Sequence, residues 1–371
     1  MKLKNQFLIA GLFAAAACTS QNVAEPTPEL TDEVAAEETG QTPAGLEAQG
    51  WSKVRPGGDV ACTDGSEFYF MVRPGRAEQI LFYLEGGGGC WNKASCNPEG
   101  TPTAKLNLID QEEPDEGIFD ADNAENPFAD YTSIYVPYCS GDVHLGANDV
   151  VYPGTDDTDQ PLPVFHRGRA NAQSAIDWVT QNYAAPDTIF VTGVSAGGVP
   201  TPLYASILAN NYEDARVASL GDGAGGYRRK GALPGRLENW GILNHLNAVP
   251  AFEDISEDTW SYEQLYINGA EAHPDITFAR FDYSADPAQW RFLSGNSEYD
   301  TLLGNMLANN DDIRDAVPNF RAYIAEGEAH TVMQKPEFYT LTSSGVRLVD
   351  WVAQLASGEP VDDVLCEACT R

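Results

Sequence analysis

"TIFVTGVSAGGVP", Thr188 to Pro200, runs an apolar stretch straight into Gly193-Val194-Ser195-Ala196-Gly197. In a chain with 34 glycines a bare Gly-x-Ser-x-Gly is a weak signal. Placed between a strand and a following helix it reads as a nucleophile elbow, a turn so sharp that side chains at its two glycines would clash. The central Ser195 is then pushed into the cleft in a strained conformation. Pro200 is expected in the first turn of the helix that follows, with an irregularity at Pro202.

Outward from this turn, strand-like apolar runs occur at Phe68–Val72, Ile80–Leu84, Ile134–Val136, Ile189–Val191, Val217–Leu220, Ile276–Phe281 and Phe320–Ile324. Helical periodicity separates them. In "GRANAQSAIDWVTQNYA" the residues Ala172, Ala175, Ile176, Val179 and Tyr183 share one helix face. In "GVRLVDWVAQLASG" Val346, Val349, Ala353 and Ala356 do the same, closed by Gly358 as a C-cap. Strands alternating with helices predict an α/β fold, a mostly parallel central sheet with helices on both faces.

A serine hydroxyl attacks only when a base removes its proton and a carboxylate orients that base. The α/β-hydrolase order of serine, acid, histidine places the base downstream, which excludes His144 and His166. His245 and His273 precede the last strand-like run. His330 follows it on the Gly-containing loop of "FRAYIAEGEAH", where that architecture delivers its base. "TFARFDYSADPAQWRF" offers Asp282, still on the strand, and Asp286, on the loop after it, as the acid, and spacing gives Asp286 only a modest edge.

Acyl transfer builds negative charge on the substrate oxygen, and fixed N–H donors must meet it. The amide of Ala196 is one. The bare backbone of "LEGGGGCW", Leu84 to Trp91, is placed to supply the other, since glycine-rich loops after an earlier strand serve this purpose in esterases.

The N-terminus has a different character. Lys2 and Lys4 precede an apolar run, Phe7 to Ala17, that is too short to span a bilayer. Cys18 then follows small residues, as in a lipobox, although Ala15 stands where Leu is usual. Residues 1–18 are therefore expected to be a signal peptide with Cys18 lipidated, giving a membrane-anchored lipoprotein or, if the signal is simply cleaved, a secreted protein. Residues 19–50 hold seven acids, no Lys or Arg and few large apolar side chains. They read as a disordered acidic tether, with residues 51–371 as one enzyme domain.

The whole chain carries 22 basic and 55 acidic residues, net charge −33. Removing residues 1–50 takes away two lysines and seven acids, so the remaining body has 20 against 48. Such a surface reads first as a solubility adaptation to a salty exterior and second as one that repels polyanions, so no nucleic-acid partner is expected and the charge does not name the substrate. Besides Cys18, six cysteines remain, an even number suited to disulfides in an exported chain. Proximity suggests Cys90 with Cys96 and Cys366 with Cys369, leaving Cys62 with Cys139, one of fifteen pairings. Cys366-x-x-Cys369 lacks nearby partners for a zinc site, and neither metal nor cofactor is expected.

"WSKVRPGGDVACTDGSEFYFMVRPG", "LEGGGGCW", "PYCSGDVHLG", "VTGVSAGG", "DPAQ" and "GEAH" together resemble the pectin acetylesterase family, which includes the Notum carboxylesterases. The resemblance covers about residues 51–365. It implies an α/β-hydrolase-like serine esterase with Ser195 as nucleophile, His330 as base and, through the Asp286-x-x-Gln289 pattern, Asp286 as acid. It assigns the oxyanion donors to Gly87, Gly88 and Ala196. It also implies that Asp142 and His144 line the cleft as substrate-binding residues without acid–base work. Four glycines stand where animal members have aromatics after two, which argues against a deep lipid pocket. The resulting expectation is a monomeric deacetylase-type enzyme acting on an acylated small molecule or polysaccharide, with membrane contact only through its lipid. A lipase, thioesterase or polyester depolymerase of the same architecture is the alternative, and a non-catalytic surface binding protein a more distant one.

Overall fold

The computed structural model describes residues 46, 50–154, 159–228, 238–293, 300–367 and 369. Cys18 and the expected leader lie outside the described residues, as does nearly all of the expected tether. The chain divides into Met1–Glu38 and Thr39–Arg371, and the description that follows concerns the second unit.

Thirteen strands are described: β1 Ser52–Val54, β2 Phe70–Arg73, β3 Arg76–Leu84, β4 Tyr131–Val136, β5 Asn148–Tyr152, β6 Leu162–His166, β7 Thr188–Val194, β8 Arg216–Asp222, β9 Thr277–Tyr283, β10 Phe320–Ala325, β11 Thr342–Ser343, β12 Val346–Arg347 and β13 Val364–Leu365. The helices used below are α1 Lys93–Cys96, α2 Gly168–Asn182, α3 Thr201–Asn211, α4 Leu243–Leu246, α5 Tyr262–Ala272, α6 Pro287–Leu293, α7 Leu302–Ala316 and α8 Leu348–Ser357.

Nine strands form one sheet in the order β1-β2-β4-β3-β7-β8-β9-β10-β13. β1 and β2 are antiparallel to their neighbours, and every pairing from β4 to β13 is parallel. The central strands read as unbroken apolar runs because both of their faces are covered. All seven residues of β7 are buried.

Side-chain alternation along β10 displays the two faces. Phe320 meets Tyr266 of α5 with ring centroids 5.6 Å apart, while Tyr323 meets Trp351 of α8 at 5.5 Å. Residues three apart on a strand point to opposite faces, so α5 and α8 cover opposite sides of the sheet. The architecture is α/β-hydrolase-like, with a large, mostly parallel central sheet and helices around it.

Two local expectations need correction. Pro200 caps α3 from outside and Pro202 lies in its first turn, where a missing N–H costs no intrahelical bond, so the helix is regular there. A separate 3₁₀ turn over Ser195–Gly197 absorbs the change of direction instead. Val346 is not on the C-terminal helix but pairs with Ser343 across a small hairpin. α8 starts at Leu348, buries Leu348, Val349, Trp351, Val352, Leu355 and Ala356, and stops at Gly358, whose φ is 76°.

Candidate active site

β7 ends at Val194 and the next residue, Ser195, has φ 54°, a left-handed conformation that strains any residue with a side chain. The flanking glycines are sterically required. A Cβ on Gly193 would lie 2.3 Å from the Gly197 carbonyl oxygen, and one on Gly197 would lie 2.1 Å from that of Leu84. The backbone pinch that lifts Ser195 thus depends on both.

Leu84 ends β3, the strand beside β7, and the glycine loop starts next to the serine. A Cβ on Gly86 would stand 2.9 Å from the Ser195 Cβ. The loop is tied down through its carbonyls: Lys105 N donates to Gly87 O (2.9 Å), Tyr138 Oη to Gly88 O (2.9 Å) and Thr103 Oγ1 to Gly89 O (2.7 Å). The Cys90–Cys96 disulfide and the bond from Cys90 N to Gly141 O (2.8 Å) fix its far end. Glu85 anchors the near end, accepting from Tyr138 N at 2.8 Å and pairing with Lys105 at 3.0 Å. Gly89 is the exception among the four glycines, since its nearest neighbour, the Trp240 ring, is 3.5 Å from an added Cβ.

His330 lies on the loop after β10, with its side chain 30% exposed. A Cβ on Gly223, just past the end of β8, would lie 2.6 Å from the His330 carbonyl oxygen. Asp222 pairs in register with Val194, so this contact sets the histidine loop over the strand ends beside Ser195. His330 Nδ1 meets Asp286 Oδ2 at 2.6 Å. Asp286 is fully buried and sits before α6, where its Oδ1 accepts from Ala288 N (2.8 Å) and Gln289 N (3.1 Å). Burial works against a charged imidazole, yet the Asp286 hydrogen bond and the charges of Asp286, Asp222 and Asp282 together raise the His330 pKa.

Asp282 does not reach His330. Its Oδ1 accepts from Gly225 N (2.8 Å) and from Gln289 Nε2 (2.9 Å), and the same Gln289 nitrogen donates to Asp286 Oδ2 at 3.0 Å. Gln289 Oε1 in turn accepts from Gly226 N at 2.8 Å. Gln289 therefore ties the two carboxylates into one buried network.

The expectation that Asp142 and His144 line the cleft is corrected by their burial. Both are almost wholly enclosed, at 0% and 1% exposure. Asp142 accepts from Ser140 Oγ (2.6 Å), His144 N (3.1 Å) and Gly168 N (2.8 Å), pinning the start of α2. His144 Nε2 bonds the Glu85 carbonyl oxygen at 2.8 Å, and burial depresses its pKa. These residues brace the glycine loop from behind.

Cys62–Cys139, Cys90–Cys96 and Cys366–Cys369 are the three disulfides. Cys90, Cys96 and His166 cluster within 4.8 Å, but the sulfurs are joined to each other and the His166 nitrogens meet Tyr152 Oη and Ser140 O at 3.0 Å each. That cluster is structural. Sequence reasoning missed Asp222, whose only signal is an acid closing a buried apolar strand. Among the described residues no helix is long and apolar enough to cross a membrane.

Residues 54–229 match the family described as Pectinacetylesterase. The chain is 28% identical over 169 residues to pectin acetylesterase 4 of Arabidopsis thaliana, covering 44% of this chain and 40% of that one. It is 28% identical over 150 residues to palmitoleoyl-protein carboxylesterase Notum of Schmidtea mediterranea, covering 38% and 27%. The matched region thus spans two fifths or less of these relatives. The solved structure of the Wnt deacylase Notum from Drosophila shares the fold, with a TM-score of 0.59 at 16% identity over 87% of this chain and 97% of that one. Over this region the chain is similar to the pectin acetylesterases and to the Notum carboxylesterases, and it shares the Notum fold.

Proposed function

We propose that this chain is an exported serine ester hydrolase that removes short acyl groups, acetyl foremost, from a hydroxyl-rich substrate such as a polysaccharide. The observation that carries this reading is the 2.6 Å contact between His330 Nδ1 and buried Asp286, on a loop packed against the strand ends beside a strained, partly exposed Ser195.

Asp286 holds the Nδ1 proton, which leaves His330 Nε2 free to accept the proton of the Ser195 hydroxyl. Ser195 Oγ attacks the ester carbonyl, and the amides of Gly87, Gly88 and Ala196 receive the oxyanion, each worth roughly 3 kcal/mol. His330 then returns its proton to the departing alcohol, and water repeats the sequence on the acyl-enzyme. The carbonyl bonds that fix the glycine loop support a preformed hole.

A cavity of about 450 Å³ next to the glycine loop is walled by Glu85, Lys105, Gln111, Tyr135, Gln334 and Lys335 and by the acidic segment 110–116. Glu85 adjoins Gly86 and Gln334 lies four residues past His330, which ties the cavity to the loops that carry the glycines and the histidine, although neither Ser195 nor His330 lines it. Its polar walls suit the hydroxyls of an alcohol portion and give a long acyl chain no apolar contact. Export rests on the three disulfides, which persist in oxidising compartments, and on the leader ending at Cys18, whose lipid would anchor the enzyme. The test is hydrolysis of nitrophenyl acetate by wild type and by His330→Ala. The wild type turns it over, the variant loses several orders of magnitude, and equal rates would refute the reading.

A further inference from the structure

Asp222 closes β8, in register with Val194 on the nucleophile strand and with Phe281 on the strand that leads to the acid. Its side chain is wholly buried. Oδ2 accepts two hydrogen bonds, from Val332 N and Met333 N, both at 2.9 Å. These are the amides two and three residues beyond His330. Oδ1 has no hydrogen-bond partner among the described residues.

An unpartnered carboxylate oxygen in the interior is expensive, and an uncharged Asn could accept the same two amides. A charge kept where it costs stability points to a task other than packing. The groups that face it are Tyr83 from β3, Asp282 and Tyr283 from β9, and His330 from the loop. Of these only His330 becomes a cation.

We propose that Asp222 is a positioning residue of the reaction, fixing the loop that delivers His330 and supplying a second negative charge that favours the imidazolium formed when Ser195 loses its proton. The proposal rests on the reading of Ser195 and His330 as nucleophile and base. It differs from the role of Asp286, which touches the imidazole directly, because Asp222 acts through two backbone amides and through space. Burial pushes the Asp222 pKa up to about 7, against the pull of the two amides and of His330, so it is about half ionised at neutrality and charged above it, where the base must work.

The experiment is the pH profile of kcat/KM on nitrophenyl acetate for wild type and Asp222→Asn. The acid limb reports the coupled protonation of His330 and Asp222 in the free enzyme, and activity falls as pH drops through it. Removing the Asp222 charge destabilises the imidazolium, so the limb should move to lower pH by about half a unit or more. The plateau kcat should fall about tenfold with KM within twofold, because the lost interaction is made in the transition state. An acid limb that stays in place overturns the proposal, whatever happens to kcat. If Asp222→Asn does not fold, Asp222→Ser removes the same charge with less bulk and is read in the same way. A wild type without esterase activity would instead sink the reading on which the proposal rests.

Discussion

His330 Nδ1 and Asp286 Oδ2 are 2.6 Å apart, whereas Asp282, four residues earlier, spends its Oδ1 on Gly225 N and Gln289 Nε2. The difference follows from local structure. Asp282 lies within β9 and is held by its neighbours there, while Asp286 follows the strand and turns to cap α6. Asp286→Asn should therefore cost on the order of 10⁴ in kcat by removing the anion that fixes the imidazole tautomer. Asp282→Asn should cost far less. A larger loss for Asp282→Asn in steady-state kinetics would reverse the assignment.

Stability should respond to pH through the buried acids. Burial raises the pKa of Asp222 to about 7 and of Asp282 to about 6, from an ordinary 3.8. The native state then holds more protons than the unfolded chain between about pH 4 and pH 7, so their contribution to stability falls as pH rises through that window. Asp222→Asn removes the larger part of this dependence. Urea unfolding at pH 5 and pH 8 should show the variant gaining on wild type at the higher pH, and a difference independent of pH would contradict the burial argument.

The disulfides should separate stability from catalysis. Cys62–Cys139 closes 77 residues and Cys90–Cys96 only six. Chain entropy makes the first worth ~4–5 kcal/mol and the second ~2 kcal/mol. Replacing Cys62 and Cys139 by Ser should lower Tm the more. Replacing Cys90 and Cys96 should lower kcat the more, since that bridge fixes the glycine loop. Calorimetry beside ester kinetics checks both, and the opposite ranking would show that the loop keeps its shape unaided.

Acyl preference follows from the polar cavity and the missing aromatics of the glycine loop. Acetyl and butyryl nitrophenyl esters should be hydrolysed faster than octanoyl, because a long chain gains no binding energy at the reacting centre. The chain carries net charge −33, so an anionic acetylated pectin is repelled over a Debye length of ~8 Å at physiological salt. Its hydrolysis should rise with added salt while that of a neutral acetylated polysaccharide stays flat. Octanoyl esters as best substrates, or pectin best at low salt, would contradict this account.

Much of this was legible in the sequence where chemistry leaves a local mark. The apolar runs of β3, β7 and β8 announce buried parallel strands, and the glycines around Ser195 announce a backbone pinch. Edge elements left no such mark. β1 is three residues long and β5 mixes exposed Asp149 and Val151 with buried Tyr152, so neither repeats a clear period. Polar residues mislead in the same way: Asp142 and His144 have the composition of a site, and only the fold reveals that backbone groups consume them. Asp222 was invisible for the converse reason. In a chain with 55 acids, one that closes an apolar strand carries too weak a signal to single it out until its two partners on the histidine loop are seen.

The central claim is that Ser195 is the nucleophile, and covalent labelling tests it most directly. Wild-type protein treated with a fluorophosphonate should gain one adduct, mapped by peptide mass spectrometry to Ser195, and lose nitrophenyl acetate hydrolysis in proportion. Ser195→Ala should fold normally, take up no adduct and show no acyl-enzyme. An adduct on another residue, or full esterase activity in Ser195→Ala, would contradict the account.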